Sequence, residues 1–277
     1  MKKAILAALV PVAALLATPA AADHHGSMGA QHHAAAMESA LAAANRAEDR
    51  ARDEWRHPAE TLSFFRVMPG QTVVDYMPSS GWYTRVLVPY LGTDGRYIGL
   101  NPDPASAQSD RFRDYVAGLA EKFPASLAKW GLQEANARGI NTNEVTEAMN
   151  GTVDRVLIFR EMHNLHRFGA LHAELGAIHD LLKDDGMLGI VQHRAKPWAP
   201  ASYTDGSNGY MRQQDVIGLV EAHGFDLVET SEINANDRDT ADHEGGVWML
   251  KPSGGSKGAL DSIGESDRMT LLFRKRD

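Results

Sequence analysis

Short apolar segments of the strand type alternate with helix-type segments along the chain, and this alternation is the strongest constraint on its fold. The clearest strand-type segments are residues 72–76, 96–100, 153–159 and 187–192. Strands that alternate with helices form a mostly parallel sheet with helices on both faces. The pattern therefore predicts a single α/β domain.

Helical propensity or apolar periodicity marks the segments between and around these strands. We predict helices at 37–55, 58–65, 82–91, 109–130, 168–182 and 213–223. Residues 131–151 are polar, and any third strand lies hidden there. Residues 225–233 and 269–275 alternate as strands with no strong helix between them, which predicts an antiparallel hairpin at one sheet edge. A turn is expected at 184–186 and a short strand at 248–250.

The N-terminus has the pattern of a secretory signal. Lys2 and Lys3 precede an apolar run over residues 4–17, and three alanines at 20–22 suit signal peptidase. The run is short for a membrane anchor. We therefore expect a cleaved signal at 1–22, a periplasmic or secreted protein, a flexible tail at 23–36, and one domain at 37–277 that begins with a helical extension. The tail contains His24, His25, His32 and His33, and both loose metal capture and a solvated tail are open interpretations.

The composition narrows the choice of partners. The 277-residue chain has no cysteine, so the fold depends on its hydrophobic core rather than on disulfides. The formal net charge is −8 and there is no basic run, which disfavours nucleic acid and anionic lipid as partners. We expect a small-molecule substrate and no membrane insertion after signal cleavage, and the sequence does not determine the oligomeric state.

Polar residues follow the predicted strands at positions where parallel sheets bind ligands. After the first strand comes Asp75, then a Pro-Ser-Ser-Gly turn and the start of a helix. Such a strand, turn and helix N-terminus can hold a nucleoside-bearing ligand. Asn101 follows the second strand, where a ribose-binding side chain is expected.

Several sequence blocks carry a family resemblance. Residues 73–91 (VVDYMPSSGWYTRVLVPYL) resemble the first motif of class I S-adenosylmethionine (SAM)-dependent methyltransferases. With FREMHNLH from residue 159, LGIVQHRA from 188, GYMRQQDVIGLVEAHGF from 209, SEINANDRDTADHEGGVW from 231 and IGESDRMTLLF from 263, the chain resembles, more narrowly, the exported predicted methyltransferases of bacteria. The resemblance implies a Rossmann-like class I methyltransferase fold, SAM as cofactor and methyl transfer to a small molecule. It implies these cofactor-binding residues: Asp75, Tyr76, Pro78, Ser79, Ser80, Gly81, Tyr83 and Asn101.

Two positions depart from the family pattern in ways that affect cofactor binding. Ser79 stands at a position usually held by glycine, and its Cβ disfavours a positive φ. Asn101 replaces the usual acidic residue and carries no charge. A non-catalytic ligand-binding protein with a degenerate cofactor turn is therefore the alternative hypothesis.

The loop after the strand 153–159 contains the candidate catalytic residues. We expect His163 to act as the base, Glu161 to share that role or orient the acceptor, and Asn164 to position it. A merely structural role for His163 and Asn164 is the competing interpretation. His193 and Arg194 follow the next strand, where structural pairing is slightly favoured. A metal-dependent enzyme using His163 and His166 ranks third, because no ligand motif supports it.

Overall fold

The computed structural model describes residues 24–107, 110–254 and 259–276 of the chain. The predicted signal, residues 1–22, lies outside the described residues, so its cleavage stays a prediction. Residues 24–42 form a helix, whereas the sequence predicts a flexible tail as far as residue 36. Alanine, the strongest helix former, recurs through this segment and accounts for the difference.

Strands and helices alternate along most of the chain. The strands are β1 (Thr72–Tyr76), β2 (Arg96–Asn101), β3 (Ala137–Asn141), β4 (Val153–Phe159), β5 (Leu182–Ala195), β6 (Met211–Arg212), β7 (Phe225–Ser231) and β8 (Arg268–Lys275). The α-helices are α1 (His24–Ala42), α2 (Asp53–Arg56), α3 (Pro58–Phe64), α4 (Thr84–Leu91), α5 (Asp110–Lys129), α6 (Met162–Arg167), α7 (Leu171–Leu181), α8 (Ala201–Thr204) and α9 (Gln213–Glu221).

The strands form one mixed sheet in the order β3-β2-β1-β4-β5-β8-β7, and β6 pairs with β5. The pairs β1–β2, β1–β4, β2–β3 and β4–β5 are parallel, and β8 runs antiparallel to both β5 and β7. This arrangement confirms the predicted α/β fold with a mostly parallel sheet and an antiparallel hairpin at one edge. The parallel strands β1, β2, β4 and β5 all end on the same side of the sheet, so their carboxyl ends lie close together.

Helices cover both faces of the sheet and bury its alternating side chains. On one face, α1, α3, α4 and α5 pack against β1 residues such as Val73. On the other face, α6, α7 and α9 pack against Val74 and its neighbours. A buried parallel strand needs apolar side chains on both faces, which explains the continuous apolar runs of β1 and β4. Within the three described ranges, no helix is long and apolar enough to cross a membrane.

Four local predictions differ from the structure. The expected helix at 37–55 breaks after Ala42 into 3₁₀ segments and the short α2. The expected helix at 168–182 begins only at Leu171, after the separate α6. The expected turn at 184–186 is a bulge inside β5, because Val153 pairs with Leu182 and Arg155 with Met187. Residues 248–250 are no strand, since Gly246–Met249 is a 3₁₀ helix.

Candidate active site

A cavity of about 350 Å³ opens at the carboxyl ends of β1, β4 and β5. The turn after β1 and the loop after β4 form two of its walls. The helical N-terminal extension contributes Arg52 and Arg56, and the segment before β8 contributes Glu265 and Ser266. Residues from near the N-terminus and from near the C-terminus of the domain therefore contribute to this site. Its centre lies at the carboxyl ends of the parallel strands, where the sequence predicts ligand binding.

The turn after β1 has an unusual backbone. Met77, Ser79 and Gly81 adopt positive φ angles of 49°, 51° and 72°. Such alternation turns backbone N–H groups toward one concave side, where anionic or polar ligand groups bind. Ser79 thus adopts a left-handed conformation that favours glycine, despite its Cβ. A Cβ on Gly81 would lie 2.1 Å from the ring of Trp130, so this position also requires glycine for space.

Asp75 lies buried at the end of β1 and lines the cavity. The Tyr97 hydroxyl donates to its carboxylate at 2.8 Å and lies 2.8 Å from the Thr84 hydroxyl. Burial raises the pKa of Asp75 to about 7, although the Tyr97 hydrogen bond and the positive charge of Arg160 act in the opposite direction. Asp75 is therefore partly protonated near neutral pH.

Most of the predicted cofactor-binding residues face the cavity, but Tyr76, Gly81 and Asn101 do not. Asp75, Pro78, Ser79, Ser80 and Tyr83 line it. Tyr76 instead faces a smaller apolar cleft on the other side of the β1 end, and Gly81 faces Trp130.

Asn101 ends β2, where it is buried. Its amide nitrogen donates to the Ile140 carbonyl at 3.2 Å. Its Oδ1 is buried and has no hydrogen-bond partner among the described residues. A buried acceptor without a partner is costly, so Asn101 retains the capacity to accept one hydrogen bond from a ligand.

The three candidate catalytic residues all line the cavity. The Asn164 amide donates to Glu161 at 2.6 Å. Burial raises the pKa of Glu161 to about 7, against the opposing effects of the Asn164 hydrogen bond and of Arg160 and Arg167. Burial also lowers the pKa of His163 to about 4, although a hydrogen bond to Gln192 acts in the opposite direction.

The tautomer of His163 follows from its neighbour. Gln192 donates its amide nitrogen to the Gly209 carbonyl at 2.8 Å, so its oxygen faces His163 Nδ1 at 3.4 Å. A carbonyl oxygen only accepts, so Nδ1 carries the proton and Nε2 keeps a lone pair. His163 is thus a neutral hydrogen-bond acceptor at pH 7, and Glu161 has the pKa that suits a general base.

His193 and Arg194, which the sequence predicts to follow a strand that ends at residue 192, instead lie within β5, and their environments differ. His193 lines the cavity, and its Nδ1 lies 2.6 Å from the Ser266 hydroxyl. Arg194 instead forms ion pairs with Asp267 and Glu232 at 2.9 and 2.7 Å. Arg194 therefore ties β5 to the segments around β7 and β8, as the pairing interpretation expects.

An arginine cluster around Glu265 was not predicted. Arg52, Arg56 and Arg268 contact the Glu265 carboxylate at 2.7, 3.3 and 3.0 Å. Arg160, which follows β4 with a φ of 64°, also lines the cavity. The sequence signal for this cluster was the group of arginines around residue 50, but the same pattern is equally typical of a solvent-exposed helix.

The described residues contain no group of three or more His, Cys, Asp or Glu side chains placed to hold a metal ion. His166 faces a separate surface cleft away from His163. The spacing of these two histidines therefore does not create a shared ligand set.

No protein-family model and no curated protein matches the sequence. Solved structures do match the fold. A geranyl diphosphate C-methyltransferase from Streptomyces coelicolor A3(2), in complex with Mg²⁺, geranyl diphosphate and S-adenosyl-L-homocysteine (SAH), has a TM-score of 0.56 at 11% identity, over 92% of this chain and 100% of that chain. A geranyl diphosphate methyltransferase in complex with SAM has a TM-score of 0.55 at 14% identity, over 86% and 94%. A SAM-dependent methyltransferase from Aquifex aeolicus has a TM-score of 0.50 at 16% identity, over 81% and 93%. The chain therefore has the Rossmann-like fold of class I methyltransferases.

Proposed function

We propose that this protein is a SAM-dependent methyltransferase that acts on a small-molecule acceptor bound in the cavity. The observation that carries the proposal is the turn after β1, whose left-handed residues Met77 and Ser79 line the cavity beside Asp75. This backbone shape belongs to a ligand-binding turn, and it is kept here at a cost in conformational energy. A degenerate turn would have no reason to keep that cost, which weakens the hypothesis of a non-catalytic binding protein.

The residues of the turn suit the amino acid part of the proposed cofactor, because positive φ angles turn N–H groups around Ser79 and Ser80 toward one concave side. The unpartnered Oδ1 of Asn101 has the chemistry to accept from a ribose hydroxyl, but Asn101 is buried and does not line the cavity. When bound, SAM supplies an electrophilic methyl group.

Glu161 is the residue we assign as the general base for an acceptor that must lose a proton. A carboxyl group with a pKa of about 7 is substantially ionised at neutral pH and can still accept a proton. Asn164 holds the carboxylate in place through its 2.6 Å hydrogen bond. His163, neutral and with a free Nε2, orients the acceptor by accepting a hydrogen bond.

Two of the structural neighbours are named as methyltransferases of geranyl diphosphate, which is a small molecule. The cavity of about 350 Å³ lies within the size range of small-molecule sites. Both observations support a small-molecule acceptor rather than a macromolecule.

Isothermal titration calorimetry with SAM and SAH tests the cofactor assignment. We expect saturable binding by the purified protein and its loss in Ser80→Trp, because Ser80 is exposed and lines the cavity. Ser39→Trp places the same side chain on the exposed face of α1 and should bind like the unmodified protein. No saturable heat at about 1 mM ligand, which corresponds to a binding free energy weaker than about 4 kcal/mol, would refute the function.

We further propose export through residues 1–22. Mass spectrometry of the protein from the extracytoplasmic fraction should then find Asp23 as the N-terminal residue. A protein that keeps residues 1–22 in the cytoplasm would contradict this proposal. Export also requires a source of SAM outside the cytoplasm, because this charged metabolite is made inside the cell.

A further inference from the structure

One wall of the cavity has a marked excess of positive charge. Four guanidinium groups, those of Arg52, Arg56, Arg160 and Arg268, surround the carboxylate of Glu265, and the first three line the cavity. Burial alone would raise the pKa of Glu265, yet these arginines together lower it to about 2. A single carboxylate therefore neutralises only part of the charge on this wall.

Several donors of this arginine cluster have no acceptor. Both terminal nitrogens of Arg56 are buried without a hydrogen-bond partner among the described residues, and the whole residue is only 1% exposed. Arg52 Nη2 and Arg268 Nε are likewise buried without a hydrogen-bond partner among the described residues. The Arg160 guanidinium also lines the cavity, where its charge lowers the pKa values of Asp75, Glu161 and Glu265. Buried charged donors without partners are strongly unfavourable unless a ligand satisfies them.

The remaining acidic groups of the cavity supply only part of the missing negative charge. Asp75 and Glu161 both couple to Arg160, but burial leaves each of them partly protonated near neutral pH. The Arg56 guanidinium also stacks on the Trp82 ring, 4.6 Å from its centroid. Stacking holds a guanidinium flat and leaves its edges available for hydrogen bonds.

We propose that the arginine cluster binds a phosphate group carried by the methyl acceptor, with Arg52, Arg56 and Arg160 as its donors. Guanidinium forks match phosphate oxygens in pairs. A dianionic group with several oxygens can engage more than one fork, whereas one monoanionic carboxylate would leave most of the excess charge in place. The proposal rests on the proposed function in naming the acceptor as the occupant.

The position of the cluster favours the acceptor over the cofactor as its ligand. The proposed function places the amino acid part of the cofactor at Ser79 and Ser80, in the turn after β1. The cluster instead lies where Arg160 leaves β4 and Arg268 begins β8, and β8 pairs with β5 at His193. This is the same side of the cavity as Glu161, the proposed base.

Calorimetric titration with inorganic phosphate, and separately with SAH, tests the proposal in the unmodified protein and in Arg160→Gln. Arg160→Gln removes one guanidinium without breaking a hydrogen bond or an ion pair, and glutamine is as compatible with the positive φ as arginine. Arg96→Gln is the matched control, because Arg96 is exposed at the opposite, amino end of β2 and its loss changes the net charge equally. Arg52→Gln is a second test, since the Arg52 side chain is partly exposed.

We expect saturable phosphate binding that Arg160→Gln and Arg52→Gln weaken at least about tenfold and that Arg96→Gln leaves within about twofold. SAH affinity should stay within about twofold in all three variants. No saturable phosphate binding at about 10 mM would overturn the proposal. Competition between phosphate and SAH, with SAH weakened by Arg160→Gln, would overturn it in favour of the cofactor's own carboxylate. Phosphate binding through Arg160 in a protein that never binds SAH would keep the oxyanion site and refute the methyltransferase function.

Discussion

The ionisation of Glu161 offers a direct test of the active-site electrostatics without knowledge of the acceptor. Burial raises the pKa of this carboxyl from its ordinary value of 4.5 to about 7 in the folded protein. Between these two values the folded state holds a proton that the unfolded state releases. The stability that Glu161 contributes is therefore fully present below pH 4.5 and is lost as the pH rises through about 7.

The size of this effect follows from the pKa difference. Each pKa unit is worth about 1.4 kcal/mol, so complete ionisation of Glu161 costs the folded state about 3 kcal/mol. Glu161→Gln removes this titration and can keep the hydrogen bond from Asn164, because the glutamine amide oxygen also accepts. We therefore expect the variant to gain about 3 kcal/mol of unfolding free energy relative to the unmodified protein between pH 4.5 and pH 8.

Urea denaturation at several pH values, followed by circular dichroism, measures this difference. Comparison of the two proteins cancels the contributions of His163 and Glu265, which titrate in both, whereas the pKa of Asp75 is raised by Glu161 and falls in the variant. Glu134→Gln, at an exposed glutamate, should show no such gain with pH. If the difference between Glu161→Gln and the unmodified protein stays constant from pH 4.5 to pH 8, Glu161 is not a buried carboxyl with a raised pKa, and its assignment as the base loses its physical basis.

Two further substitutions test the geometry around the site. Ser79→Gly should raise the unfolding free energy by about 1 kcal/mol and Tm by about 2–4 °C, because glycine adopts the left-handed conformation without the steric strain of a Cβ. An equal rise in Ser80→Gly, where the residue lacks a positive φ, would contradict this explanation. Asp49→Asn should cost about 2 kcal/mol in urea denaturation. It removes the ion pair with the largely buried Arg85 and replaces one of the two carboxylate oxygens that accept at 2.6 and 2.7 Å by an NH2 group, which cannot accept. Asp110→Asn is the control: it breaks a surface ion pair in which the aspartate side chain is 91% exposed, and it should cost almost no unfolding free energy. Equal losses in these two variants would show that the ion pair between Asp49 and Arg85 is no stronger than a surface pair.

Local sequence patterns were enough to locate the central strands and the cofactor turn. The bounds of β1 and β4 match the prediction, because a strand buried on both faces must be apolar throughout its length. The same reasoning failed for β3, whose sequence Ala-Arg-Gly-Ile-Asn is only partly buried at the sheet edge and shows no distinctive pattern. Side chains at an edge are selected less by the core, so their sequence carries less information about the strand.

The sequence by itself determined the fold class, the sheet edge that carries the site, and the positions of Asp75 and Glu161 at strand ends. Only the tertiary structure showed that Ser79 adopts a positive φ and that burial raises the pKa of Glu161 while it lowers the pKa of His163. The arginine cluster was equally beyond sequence reasoning, since Arg52 and Glu265 are 213 residues apart. Patterns along the chain report which side chains are buried, whereas the charge and pKa of a site depend on which distant side chains folding brings together.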